Sequence, residues 1–138
     1  LNFHVSCTTS IMNVFHIPTF IDRMVELGLD IFHIQLNNIL TNPLYYNINI
    51  LPIELKDKVK YLYSKHLEKF EGREQEELKI KYDSIFKFMD ESPEDNVNKI
   101  YAQLKSMTDK IDKGRNENFL EIYPYYTEWY NSIGKSKL

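Results

Sequence analysis

Thr8, Thr9 and Ser10, with Asn13 close behind, and then Gln35, Asn37 and Asn38 are the side chains best placed by type and position to bind something. Each run follows a short apolar stretch that reads as a strand. In a parallel α/β sheet or barrel, ligand-binding groups gather where strands end, because the loops there present them over the carboxyl edge. Hydroxyls and amides suit a ribose, an adenine edge or a peptide amide, and are poor at proton transfer near neutral pH. The same residue types also form turns and caps. Other reactive types point to less. His4, His16, His33 and His66 lack His-Glu-x-x-His or comparable ligand spacing. Cys7 is the single cysteine, so no internal disulfide forms and no thiolate set for zinc or a cluster exists. Near the end of a strand it reads as a small buried hydrophobe. Glu71, Glu74, Glu76 and Glu77 form a solvated charge run, and the four glycines are too scattered for a phosphate loop.

The elements that must position these candidates follow from periodicity. Residues 2–9 alternate and are rich in Phe, Val and Thr, which predicts a strand ending in the polar cluster. Pro18 suits a first helical turn, Ile17, Phe20, Ile21, Met24 and Val25 recur at helical spacing, and Gly28 stands where a left-handed cap closes a helix. Residues 30–36, with Ile31, Phe32, His33 and Ile34, predict a second strand. Strand, helix and strand joined by short loops describe a parallel βαβ unit with a right-handed crossover. Such a pair needs cover on both faces and leaves an unpaired edge, so further strands are expected from elsewhere.

Nothing after Leu51 reads as a strand. A tyrosine-rich connection leads to Pro52, which restarts a helix whose Leu55, Val59, Leu62, Tyr63, Leu67 and Phe70 follow one stripe. After a hinge at Gly72, a third helix carries Leu78, Tyr82, Ile85, Phe86 and Met89. Ser92, Pro93 and Asp95 resemble a capping box that opens a fourth helix, which is expected to end near Gly114. The aromatic stretch 119–130 is expected to dock on the helices. The expected fold is α/β, with a βαβ unit over residues 1–50 and a helical extension with an aromatic tail over residues 51–138.

A chain of 138 residues is about one domain's worth on a prior of roughly 100 to 200 residues each. With 43% hydrophobic and 27% charged residues it should bury a core rather than stay disordered. A net charge of −3 leaves no basic excess for phosphates, which argues against general nucleic-acid binding. No apolar run approaches the roughly 20 residues of a membrane span, and no basic segment precedes a short apolar one. A reducing, cytoplasmic location is expected. The bias toward Lys, Asn, Ile and Tyr, with one alanine, reflects A/T-rich codons. Because Leu1 leads directly into a strand, the chain reads as a piece of a longer protein.

Residues 3–10 with Asn13, Ile17-Pro18 and the stretch 24–29 resemble the fifth strand, following helix and sixth strand of a radical S-adenosylmethionine enzyme's partial TIM-like barrel. Asn42-Pro43 with Tyr45, Leu51-Pro52, Leu55-Lys56, Arg115-Asn116-Glu117 and the stretch 119–124 are similar to radical SAM proteins of the twitch or SPASM-like kind, which occur widely in phage and marine bacterial sequences. The resemblance covers most of the chain at the level of phrases rather than a signature motif. It implies that residues 1–50 are the C-terminal part of the barrel. The family's Cys-x3-Cys-x2-Cys run, which holds a 4Fe-4S cluster and cleaves S-adenosylmethionine to a 5′-deoxyadenosyl radical, would lie upstream of Leu1. No cysteine follows Cys7, so this segment holds no auxiliary cluster.

By location, the resemblance assigns Thr9, Asn13, Gln35 and Asn37 to contacts with the cofactor's adenosyl part or the substrate. The expected partner is the missing N-terminal barrel half, with a peptide or small-molecule substrate, and the chain alone is expected to be inactive and to bind neither cluster nor cofactor. An alternative is a non-enzymatic α/β interaction module that binds a protein or peptide through its helical, tyrosine-rich part. A third reading, an aldolase-like barrel piece, calls for a lysine or carboxylate at a strand end, and neither strand end carries one.

Overall fold

The computed structural model describes residues 4–134. Strand β1 (Val5–Thr9), helix α1 (Ile17–Glu26) and strand β2 (Ile34–Ile39) follow in that order, and the strands pair in parallel as the one sheet among the described residues. Asn2 and Phe3, expected in the first strand, lie outside the described residues. Five further α-helices follow among the described residues: α2 (Ile53–Leu67), α3 (Gly72–Met89), α4 (Val97–Arg115), α5 (Phe119–Ile122) and α6 (Thr127–Ser132). The fold is mixed α/β and mostly helical.

Helix α1 ends as its sequence foretells. Gly28 takes φ +96°, and the amides of Gly28 and Leu29 donate back to the carbonyls of Val25 and Met24 at 3.0 Å each. Those two bonds satisfy carbonyls the helix would leave unpaired, and a residue with a Cβ would be strained at that φ. The second strand departs from expectation. Asp30 accepts a hydrogen bond from the Phe32 amide at 2.7 Å and closes a 3-10 turn over Ile31–His33, which sends Ile31 into the core. Pairing then begins at Ile34 and continues through Ile39. Gln35 and Asn37 therefore lie within β2, not after it.

The start of α4 also differs. Asn96 caps it by accepting from the Asn98 amide at 2.9 Å, while Ser92 and Pro93 remain in the preceding loop. At its far end Gly114 stays helical, and Asn116 takes the left-handed conformation at φ 53°. Asparagine tolerates that region, so the chain turns two residues later than the glycine suggested.

Helices α2, α3 and α4 each bury one stripe: Leu55, Val59 and Tyr63; Leu78, Tyr82, Ile85 and Met89; Ile100 and Leu104. Leu62 belongs to the expected stripe of α2 yet is 42% exposed. A single buried cluster extends from Ile11 to Ile133 and includes Ile34 and Leu36 of β2 together with Tyr126, Trp129 and Tyr130 of the tail. Segments 1–50 and 51–134 thus share one core.

Tyrosine hydroxyls fasten it. Tyr63 donates to the Val14 carbonyl, Tyr126 to the Ile11 carbonyl and Tyr101 to the Ile50 carbonyl, each at 2.5 Å. Irregular segments cannot pair all their own backbone groups, and buried carbonyls without partners are costly. The phenols of α2, α4 and the tail meet that need while their rings fill the core.

The sheet has two unlike faces. Ile34, Leu36 and Thr9 are buried, and Val5 and Cys7 half-buried, on the side that meets the helices, whereas Ser6, Thr8, Gln35, Asn37 and Asn38 are exposed. Its edges also differ. Helix α3 packs against β2, but β2 is the one described element that packs extensively against β1.

Candidate functional site

The exposed polar row is built by strand alternation. In the parallel register Ser6 lies beside Gln35 and Thr8 beside Asn38, so each pair shares a face, and Cys7 between them faces the core. Opposite Cys7, β2 carries one extra residue, since Leu36 and Asn37 fall between the paired positions. A bulge of this kind lets Leu36 stay buried while Asn37 and Asn38 are both exposed. Asn38 donates to the Ser6 hydroxyl at 2.8 Å across the strands. At the other end of the strands the rings of His4 and His33 lie 5.3 Å apart.

Gln35 and Asn37 also line a pocket of about 320 Å³ with Glu77, Ile80, Lys81 and Ser84 of α3. The Lys81 side chain is 14% exposed and meets Glu77 at 3.2 Å, one helical turn away. Neither the Gln35 nor the Asn37 amide makes a side-chain hydrogen bond among the described residues. Each offers a free carbonyl and a free NH2 group to a ligand.

Thr9 and Asn13 sit elsewhere. Thr9 is fully buried on the core side of the sheet, and its hydroxyl has no partner among the described residues. Asn13 is committed to the loop after β1: it accepts from the Ser10 amide at 2.9 Å and donates to the Thr8 carbonyl at 2.8 Å. Ser10 in turn accepts from the Met12 amide at 3.1 Å. Of the four residues assigned by the resemblance, the structure brings Gln35 and Asn37 together on the exposed face, buries Thr9 on the core side and engages Asn13 in the loop after β1. Ser6 and Thr8 join the row through the period-2 pattern of β1, a signal already present in the sequence, whereas Asn38 joins it through the bulge.

A second polar constellation was not foreseen. The His66 ring is buried between three helices, with Nε2 2.8 Å from the Asp22 carboxylate of α1 and Nδ1 2.8 Å from the Tyr82 hydroxyl of α3. Lys69 donates to the other Asp22 oxygen at 2.9 Å. Partial burial pushes the Asp22 carboxyl up, but hydrogen bonds from Lys69 and His66, aided by their charge, outweigh it and hold the carboxyl below its ordinary value. Burial pushes the Tyr82 phenol well up, so it stays protonated and can donate. The chain of groups ends at a fully buried hydroxyl. Its other end, at Asp22 and Lys69, meets solvent but lines no described pocket, and its effect is to tie α1, α2 and α3 together. No sequence signal reveals it, because Asp22, His66 and Tyr82 are far apart along the chain.

The open row can hydrogen-bond a ligand in both directions but offers no group suited to proton transfer near neutral pH. Cys7 faces the core, and burial raises its thiol. One cysteine cannot supply the thiolates that an iron-sulfur cluster needs, so the residues of this chain do not fit such a group. Among the described residues no set of three or more His, Cys, Asp or Glu gathers where it could hold a metal ion, and no helix is long and apolar enough to cross a membrane. Compared with protein-family models, with curated proteins and with solved structures, the chain finds no match.

Proposed function

We propose that this chain is the C-terminal part of a radical S-adenosylmethionine enzyme, in which β1 and β2 are late strands of a partial TIM-like barrel and α2 to α6 form an extension near the substrate. The sidedness of the sheet carries this reading. Barrel strands present alternate residues outward to a ring of helices and inward to the lumen. Here one face packs on helices, the other is a polar row, and β1 has a free outer edge that no described strand pairs, while β2 is flanked by α3. The strand that precedes β1 in a barrel would join on that free side.

In this reading Gln35, Asn37, Thr8 and Asn38 hydrogen-bond the cofactor's adenosyl part or a peptide or small-molecule substrate. Asn13 acts as a positioning residue for the loop after β1, and Thr9 packs on the core side of the sheet. The cluster belongs to an upstream barrel half of the same cytoplasmic protein, and the chain by itself is inactive. The first test is the coding sequence on the 5′ side of Leu1. A Cys-x3-Cys-x2-Cys run is expected there, and the full-length protein, reconstituted anaerobically with iron and sulfide, should release 5′-deoxyadenosine. A start codon immediately before Leu1 overturns the reading.

A second reading, a protein- or peptide-binding module, is favoured by one observation. Ile53, Tyr61 and Leu62 leave α2 with an uncovered apolar surface.

A further inference from the structure

Ile53, Tyr61 and Leu62 are 59%, 62% and 42% exposed. Beside them an open, largely apolar groove of about 480 Å³ lies between α2 and the tail, lined by Phe15, Tyr61, Leu62 and Tyr125. It continues into a neighbouring pocket through the shared residues Glu54, Lys58 and Tyr125, reaching Pro52 and Trp129. One wall is fixed in advance. The Tyr125 ring packs on Phe15 with centroids 4.2 Å apart, and its hydroxyl lies 3.1 Å from His16 Nε2. A preformed wall lowers the ordering cost of binding.

The charges around the groove narrow the choice of occupant. Glu54, Asp57 and Glu128 stand on its rim with Lys58, while Lys65, over the Tyr61 ring at 5.8 Å, is paired with Glu68. None of Glu54, Asp57, Lys58 and Glu128 is in an ion pair among the described residues, whereas Lys60, Lys69, Lys79 and Lys99 elsewhere on the surface each meet a carboxylate within 3.2 Å. The rim is therefore net negative and unneutralised, around a floor that repels water. Such a surface complements apolar side chains flanked by positive ones.

We propose that this groove receives a basic amphipathic helix of a partner protein, with its apolar row against Tyr61, Leu62 and Tyr125 and its Lys or Arg residues facing Glu54, Asp57 and Glu128. Helix-in-groove recognition works in this way, with apolar anchors at helical spacing and charges setting orientation. The inference deepens the second reading above and is independent of the barrel.

Trp129 is the only tryptophan and lines the adjoining pocket, so its emission reports occupancy. The probe is a fluorescein-labelled amphipathic peptide of leucine and lysine, titrated into the intact chain and followed by anisotropy and, with an unlabelled copy, by tryptophan emission. Saturable binding is expected, weakened about tenfold by Leu62→Ser and again by Asp57→Lys, and unchanged by Ile122→Ser, an exposed residue that lines neither the groove nor the adjoining pocket. A peptide with glutamate for lysine should fail to bind. Equal binding of the glutamate peptide, sensitive to Leu62→Ser, overturns the basic partner but leaves a binding module standing. Binding unaffected by both groove variants, or no binding, overturns the site. So does a dimer in sedimentation that Leu62→Ser dissociates, since the groove would then be filled by a second copy.

Discussion

Gln35 and Asn37 have side-chain amides that no described residue engages, whereas His66 has both ring nitrogens engaged, by Asp22 at 2.8 Å and by Tyr82 at 2.8 Å. The open sheet face and the buried clasp are both made of polar groups, yet they relate to the fold in opposite ways. In the clasp, low dielectric makes every unmade hydrogen bond expensive, so its groups must be satisfied internally and are unavailable to a ligand. On the sheet, water satisfies the amides at little cost, and a ligand can replace that water. The tyrosines extend the first class: Tyr63, Tyr101 and Tyr126 look like recognition residues by type, but their hydroxyls are bound to backbone carbonyls.

The sharpest way to break this division is at the tail. Tyr126 is fully buried and bonded to Ile11, so Tyr126→Ala should lower the unfolding free energy by about 3–5 kcal/mol, as truncation of a buried aromatic does. Urea denaturation of the purified chain measures it, and a loss under about 1 kcal/mol would place the tail on the surface instead. Next comes the clasp. His66→Leu strands the Tyr82 hydroxyl and should cost about 1–3 kcal/mol. Adding Tyr82→Phe should recover part of that loss, because removing both partners leaves nothing unsatisfied. Additive losses in the double variant would mean that the contact between the two residues is incidental.

Periodicity made the helices and their buried stripes readable, because burial of Leu78, Tyr82, Ile85 and Met89 repeats every three to four residues. The parallel βαβ order was readable for the same reason. Position along β2 was not: the Asp30 turn delays the start of pairing to Ile34 and the pairing of Asn38 with Thr8 carries it on to Ile39, and both depend on partners a linear reading does not supply. Four of the five residues of the exposed row, Thr8, Gln35, Asn37 and Asn38, followed from residue type. The separation of Gln35 and Asn37 from Thr9 and Asn13 needed the pleat, which turns Thr9 inward, and the loop geometry that engages Asn13 on both sides. The Asp22, His66 and Tyr82 clasp is a tertiary contact with no local signature.

Solution pH probes the same contrast with smaller effects than truncation. The Asp22 carboxyl lies below its ordinary value of 3.8 in the folded chain, so its contribution is fully present above that pH and is lost as pH falls through the lower folded value. Asp22→Asn should flatten this acid limb of stability measured against pH, and an unchanged limb would assign it to other carboxylates. At the alkaline end burial raises the phenols of Tyr63 and Tyr126 well above the ordinary 10.0. Below 10.0 their contribution is intact; above it the unfolded chain releases protons that the folded chain retains, so stability falls. Absorbance titration should show these phenolates appearing with unfolding rather than before it.

The smallest expected effect decides the most about function. Gln35→Ala and Asn37→Ala remove exposed amides that make no side-chain hydrogen bond among the described residues, so each should change stability by no more than about 0.5 kcal/mol. Asn13→Ala, by contrast, deletes two hydrogen bonds that shape the loop after β1, at 2.9 and 2.8 Å, and should lower stability by about 1–2 kcal/mol. A stability loss at Gln35 or Asn37 as large as that at Asn13 would move them into the scaffold and remove the candidate site. With stability unchanged, the same two variants become a clean probe in the full-length protein. On the proposed radical S-adenosylmethionine assignment, the expected result there is a rise in KM for S-adenosylmethionine or substrate at constant folding free energy, as follows if these amides hold a ligand on the open face of the sheet.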